Sequence, residues 1–318
     1  MTLRAATAYL DGGAPLPASR AGIGLRACGG LGSGGCRRHS WVHNRWMGAS
    51  EPLEISRGDA VLVGERWSGE GPAVVLVHAG VTDSRSWWQV AAGLAGWATT
   101  VAYDRRGFGE TATSQTPFSH VDDLIAVLDA VAHDPVWLVG SSAGGGIALD
   151  TALLAPERLA GLVLLAPAVS GAPVPELDAD TARLDRLLDQ AYEAGDLDEV
   201  NRLETWLWLD GPAQPEGRVT GPARALAKDM NARILANGVP EGVGASGFDA
   251  WGRLVDIRPP VTVACGELDV PFLIDRSRVL ADRLPNARYQ VLPGTAHLPQ
   301  LEQPATIAEL LTNVIKRH

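Results

Sequence analysis

Cysteine is scarce in this chain: Cys28, Cys36 and Cys265 are all that 318 residues contain. That count excludes a disulfide framework and points to a reducing compartment, the cytoplasm. Long hydrophobic runs are missing as well; none approaches the roughly 20 residues that span a bilayer. Positive charge is in deficit, with 27 Lys and Arg against 37 Asp and Glu and a net charge of −10. An acidic balance of that size argues against a nucleic-acid partner and favours simple solubility. No internal repeat is visible. Acidic residues are almost absent from the first 50 positions, where Asp11 stands alone among glycines and arginines.

That first stretch also lacks any helical or strand period. It has no apolar core of the kind a secretory signal needs, and it is not amphipathic like a transit segment. Cys28, Cys36, His39 and His43 do not form a convincing zinc site, because their spacing fits no common finger and no apolar residues surround them. Residues 1–50 therefore read as a disordered tail, and Met47 offers an alternative start just ahead of the first strand-like run.

Beyond residue 50 the pattern becomes regular. Apolar runs at 59–67, 73–77, 99–103, 136–140, 159–165, 261–265 and 288–292 have the composition of buried strands. Amphipathic helices are predicted between them, at 84–94 (with Ser84 as its cap), 121–131, 272–284 and 304–315. Strands alternating with helices predict an α/β fold, a mostly parallel, doubly wound sheet with helices on both faces. The alternation lapses over 169–248, where three helical segments (178–194, 197–209 and 222–237) follow one another. The expected organisation is a core from residues 51–168 and 249–318, with a helical cap from 169–248. Trp206 and Trp208 in that cap cannot share one helical face, so one of them should point toward the core or the pocket.

The chain is organised around Val136-Trp-Leu-Val-Gly-Ser-Ser-Ala-Gly-Gly-Gly146, an apolar run that ends in Gly-x-Ser-x-Gly. A serine on a tight strand-to-helix turn is pushed out at the carboxyl edge of the sheet, provided the residues two before and two after it are nearly free of side chains. Gly140 and Gly144 satisfy that condition for Ser142; for Ser141 the crowded places would fall on Val139 and Ala143. A phosphate-cradling loop is not met, since Ser142 stands where a second glycine is needed. A serine needs a base, and His297 follows the last predicted strand. The base needs a carboxylate to fix its tautomer, and Asp269 follows the strand ending at Cys265. All three sit at the edge where open α/β sheets place their sites. Backbone amides of Ala143 and Gly80 could serve a developing oxyanion. Glu267 and Asp178 compete with Asp269 as the acid. His78 reads as a brace for the oxyanion loop, Asp104, Arg105 and Arg106 as turn-pinning residues, and His120 and His133 as solvated ends of a surface helix.

With these residues in place the chain, over about 54–316, resembles the α/β-hydrolase superfamily. The resemblance rests on His78-Ala79-Gly80, Tyr103-Asp-Arg-Arg-Gly-Phe-Gly109, the turn at Ser142, Gly266-Glu-Leu-Asp269 and Ala296-His297. Ala79 departs from the family's usual glycine. The likeness is greatest to capped esterases, enol-lactonases and their relatives, whose cap lies between the sixth and seventh family strands. It implies hydrolysis of a small ester or lactone through an acyl-enzyme on Ser142, assisted by Asp269 and His297, with no metal and no organic cofactor. Carbon–carbon bond hydrolases, aminopeptidases, cofactor-free perhydrolases and small-ligand receptors of the same fold share these marks. Dehalogenases and epoxide hydrolases do not, because they need an aspartate where Ser142 stands.

Overall fold

A computed structural model describes residues 50–112, 117–238 and 249–318. The tail assigned to residues 1–50, and with it the Cys28, Cys36, His39 and His43 set, lies outside the described residues but for Ser50. Eight strands form one sheet in the order β1-β2-β4-β3-β5-β6-β7-β8. They are β1 (Ser50–Arg57), β2 (Ala60–Trp67), β3 (Ala73–Val77), β4 (Thr99–Tyr103), β5 (Val136–Ser141), β6 (Leu159–Leu165), β7 (Val261–Gly266) and β8 (Ala287–Leu292). β1, β2 and β4 pair antiparallel, and every pairing from β4 to β8 is parallel. The expected doubly wound sheet is present, with β1 as an addition. Its half-exposed sequence, Ser-Glu-Pro-Leu-Glu-Ile-Ser-Arg, carries too weak an apolar signal to be read as a strand.

The period of two divides the sheet's side chains between two cores. Val75, Val77, Val101, Leu138, Leu162, Leu164 and Val263 point to one face. There they meet α2 (His120–Val131), α3 (Ala143–Leu154) and α7 (Pro271–Arg283). Val74, Leu76, Ala102, Val139, Val163, Leu165 and Ala264 point to the other, against α1 (Trp88–Leu94) and α8 (Pro304–Ile315). All six residues of β5 are buried, as expected of a central strand covered on both sides. The helix start near residue 84 differs from expectation. A 3₁₀ turn, Ser84–Trp87, precedes α1, and its cap is Asp83, which accepts from Arg85 N–H, while Ser84 N–H is taken by Asp104.

Three helices separate β6 from β7: α4 (Ala179–Ala194), α5 (Leu197–Thr205) and α6 (Gly221–Asn237). The segment expected to run as one helix from 197 to 209 instead widens into a π turn at Trp206–Asp210. Leu184, Leu188, Val200, Leu203 and Leu207 pack with Val270 and Leu273 at the start of α7. Leu209, Ala227 and Met230 pack with Ala79, Leu298 and Leu301. The helical layer is thus seated on loops at the carboxyl edge of the sheet. None of the described helices is long and apolar enough to cross a membrane.

Candidate active site

Ser142 links β5 to α3 at φ 51°, ψ −117°, a conformation that a side-chain-bearing residue adopts at a cost of about 1–3 kcal/mol. Surrounding hydrogen bonds hold it there. Its N–H donates to Leu165 O (2.9 Å), and its carbonyl accepts from Gly145, Gly146 and Ala168 at 2.8–3.1 Å. The glycine requirement read from the sequence is visible as space: a Cβ on Gly140 would lie 2.4 Å from Gly144 O, and one on Gly144 would lie 2.3 Å from Val77 O. Ser141 is fully buried and lies beside Gln300, whereas Ser142 is partly exposed.

Of the residues expected to act with Ser142, His297 and Asp269 meet each other. His297 Nδ1 and Asp269 Oδ2 are 2.9 Å apart, both side chains almost wholly buried. The other carboxylate oxygen, Oδ1, accepts Val270 N–H at 2.7 Å. Cys265, which sequence reading gave no role, directs its thiol at Oδ2 (3.6 Å). Burial, and then the Asp269 charge, push that thiol upward, so it stays protonated and able to donate. Among the described residues no side-chain hydrogen bond joins Ser142 to His297; such contacts commonly tighten only around a bound substrate. The imidazole also lies 4.6 Å from the Trp208 ring, and His297 N–H donates to Trp208 O. Of the two tryptophans in the helical layer, Trp208 is the one that meets the site. Trp206 instead donates through Nε1 to Gln214 O and carries Arg183 over its ring.

Gly80 and Ala143 face each other. A Cβ on Gly80 would come within 3.9 Å of Ala143 Cβ. Ala143 opens α3, where the first N–H groups have no intrahelical acceptor. His78 underpins this turn, with Nδ1 2.8 Å from Ala79 O while Nε2 accepts Arg105 N–H at 3.1 Å. Those partners define a neutral ring protonated at Nδ1. Asp104 accepts from Ser84 and Glu110 amides, and Arg106 forks onto Asp123 while reaching Asp59 and Arg57 O. Each therefore pins a turn. Glu267 is exposed and holds Gly294 N–H, while Asp178 caps α4; neither reaches His297.

His120 departs from expectation. It is buried, 6% exposed, edge-on to Phe118, and neither ring nitrogen has a hydrogen-bond partner. Its position at the first turn of α2 tucks it beneath the Arg105–Arg106 turn, which the amphipathic pattern alone did not indicate. His133 is exposed as expected.

Burial, reinforced by Arg105, holds His78 well below 6.5, and burial with Arg105 and Arg106 does the same to His120. In the unfolded chain both would titrate near 6.5, so below that pH the unfolded state binds protons that the native state refuses. Stability is therefore present above about 6.5 and falls as pH drops, by up to about 1.4 kcal/mol per pH unit for each ring. Asp104 works in the opposite sense, raised to about 6 by burial and then by Asp83. Its native state gains a proton first, which offsets part of the loss between about 6 and 4. Urea denaturation at pH 7.5, 6.5 and 5.5 should show a decline, and His120→Leu should make it shallower, with the His78 contribution remaining. A profile that is flat for the wild-type protein would contradict this assignment.

Among the described residues no group of three or more His, Cys, Asp or Glu is placed to hold a metal ion. Known proteins resemble this chain over most of its length. A candidate carbamate hydrolase of Caulobacter vibrioides is 31% identical over 265 residues, covering 77% of this chain and 91% of that one. A candidate 2-succinyl-6-hydroxy-2,4-cyclohexadiene-1-carboxylate synthase of Bacillus subtilis is 26% identical, covering 82% and 98%. Among solved structures, an esterase of Thermogutta terrifontis superposes with a TM-score of 0.67 at 21% identity, covering 84% of this chain and 98% of that one. Est816, an N-acyl homoserine lactone degrading enzyme, superposes with a TM-score of 0.64 at 25% identity, covering 82% and 99%. The alpha/beta hydrolase family profile matches residues 74–310, the span from β3 through β8 that leaves out only β1 and β2 of the sheet, and the chain belongs to that family.

Proposed function

We propose that this hydrolase cleaves a small carboxylic ester or lactone through an acyl-enzyme on Ser142. The observation that carries the reading is the strained Ser142 turn at the same sheet edge as the buried His297–Asp269 pair. Asp269 orients the ring by accepting its Nδ1 proton, which leaves Nε2 as the basic nitrogen. His297 takes the Ser142 proton as Oγ attacks the carbonyl carbon. Gly80 and Ala143 amides receive the oxyanion, and the imidazolium then protonates the leaving oxygen. Water repeats the sequence, with His297 as base, and releases the acid. Each step uses only these side chains and backbone groups, with α4–α6 as the cap that shields them. The same constellation serves a carbamate equally well, and the Caulobacter relative's name makes carbamates the second substrate class to try. The cytoplasm remains the expected compartment, and the partner a small molecule.

The test is labelling with a fluorophosphonate probe, read by intact mass, beside turnover of short-chain aryl esters, lactones and carbamates. The wild-type protein should take one adduct and Ser142→Ala none, with turnover reduced by at least about 10⁴-fold. Unchanged turnover in Ser142→Ala would remove the assignment. A folded wild-type protein that takes no label would point instead to a receptor-like member of the fold.

A further inference from the structure

The π turn that ends α5 leaves backbone carbonyls without helical partners, and their acceptance pattern is unusual. Trp208 O is met by His297 N–H (3.2 Å). Leu209 O and Asp210 O are met by one side chain, Arg218, through Nη2 and Nε at 2.7 Å each. The same guanidinium reaches across to the loop of the candidate base: Nη1 donates to Gly294 O at 3.0 Å, and Nη2 also pairs with Glu302. Glu302, its side chain 3% exposed, returns to that loop through Oε1, which accepts Ala296 N–H at 2.8 Å. A single arginine thus spans the end of the π turn and the residues immediately before His297.

Two further features hold the arrangement in place. Asp210, fully buried, accepts from Gly217 N–H, Val219 N–H and Arg224, so it shapes the loop that presents Arg218. Gly211 closes the π turn at φ 96°, and a Cβ there would lie 2.4 Å from Leu268 O and 3.5 Å from Ala296 Cβ. The turn therefore abuts the loop of Asp269 as well as the loop of His297. π turns often occur at functional sites, where they redirect a few residues without ending the helix.

We infer that Arg218, together with Glu302, is a positioning residue that couples the seating of the helical layer to the placement of the His297 imidazole. The inference rests on the proposed role of His297 as base. Loosening α4–α6 at this point would release Gly294 and Ala296 and, through Trp208, His297 itself. Lysine cannot reproduce the fork: it can hold Glu302 or one carbonyl, but not both carbonyls of the turn together with Gly294.

Arg218→Met, Arg218→Lys and Glu302→Gln should be compared with the wild-type protein by ester kinetics, thermal melting and amide hydrogen exchange. Arg218→Met is expected to lower kcat by on the order of 10- to 100-fold, with KM within about twofold, because a small displacement of a catalytic group has that effect. Exchange at residues 294–297 should rise at least tenfold while β5 stays protected. Arg218→Lys should recover part of both losses, and Glu302→Gln should reproduce them in milder form even if Arg218→Met does not fold. A fall in melting temperature alone, with kcat and exchange at 294–297 as in the wild-type protein, would overturn the inference. Should the wild-type protein hydrolyse no ester while exchange at 294–297 responds to Arg218, the clasp stands and the esterase reading falls. If esters are hydrolysed but the exchange does not respond, the clasp falls alone.

Discussion

Asp269→Asn is expected to lower kcat/KM for an aryl ester by about 10⁴-fold while leaving the fold nearly as stable as before. The size of the effect follows from which atom the amide must occupy. Val270 N–H donates to Oδ1 at 2.7 Å, so that position has to remain an oxygen. The NH₂ group is then forced to the Oδ2 position, 2.9 Å from His297 Nδ1. Two donors cannot face each other there, so Nδ1 becomes the acceptor and the ring proton moves to Nε2. The nitrogen that should receive the Ser142 proton is then already protonated. Shape and volume are preserved, which separates this change from a packing defect. Steady-state kinetics with nitrogen-15 shifts of the His297 ring would check it; an asparagine variant within tenfold of the wild-type rate, or with Nδ1 still protonated, would refute the tautomer argument.

The second large effect concerns stability. Gly144→Ala is expected to cost more than about 4 kcal/mol, the range in which backbone clashes and lost buried contacts combine. A Cβ at that position meets Val77 O at 2.3 Å and His78 O at 2.7 Å. Both are backbone atoms at the end of a buried central strand, so neither can swing away as a side chain would. Relief would require separating β3 from α3, which would also pull the Gly80 turn from Ala143. Gly195→Ala provides the control. It closes α4 in a left-handed conformation (φ 69°) with nothing within 4 Å of a Cβ, so only backbone strain of about 1–2 kcal/mol applies. Urea denaturation of the two variants should therefore give losses that differ several-fold. Equal midpoints would mean that the tight approach of Gly144 to β3 is not a constraint on the fold.

Much of the site is legible in the chain because its requirements are local. Gly140 and Gly144 identify Ser142 over Ser141 by spacing alone, since the crowding they relieve is set by a turn of a few residues. Continuous apolar runs mark β3 to β7 because a parallel sheet is buried on both faces. Where burial is one-sided or polar, the signal weakens. β1 is half exposed, and its pairing with β2 rather than its own hydrophobicity places it in the sheet. His120 looks like a solvated helix end until the Arg105–Arg106 turn is folded over it.

The contacts around His297 illustrate the same limit at longer range. Arg218 and Glu302 are 84 positions apart, Cys265 and Gly211 carry no motif that would single them out, and the two-residue spacing of Trp206 and Trp208 does not say which of them meets His297. Their importance arises from where a π turn sets a handful of carbonyls, and a π turn is decided by packing against neighbouring loops rather than by helix propensity. The sequence by itself determined the alternation that builds the sheet, the turn at Ser142 and the order in which Ser142, Asp269 and His297 follow the strands, because backbone sterics and hydrophobic period act over a few residues. Only the tertiary structure decided which groups orient His297, how the helical layer is fastened to its loop, and which histidines are buried without charge, because these depend on contacts between segments whose separation along the chain leaves no trace in local pattern.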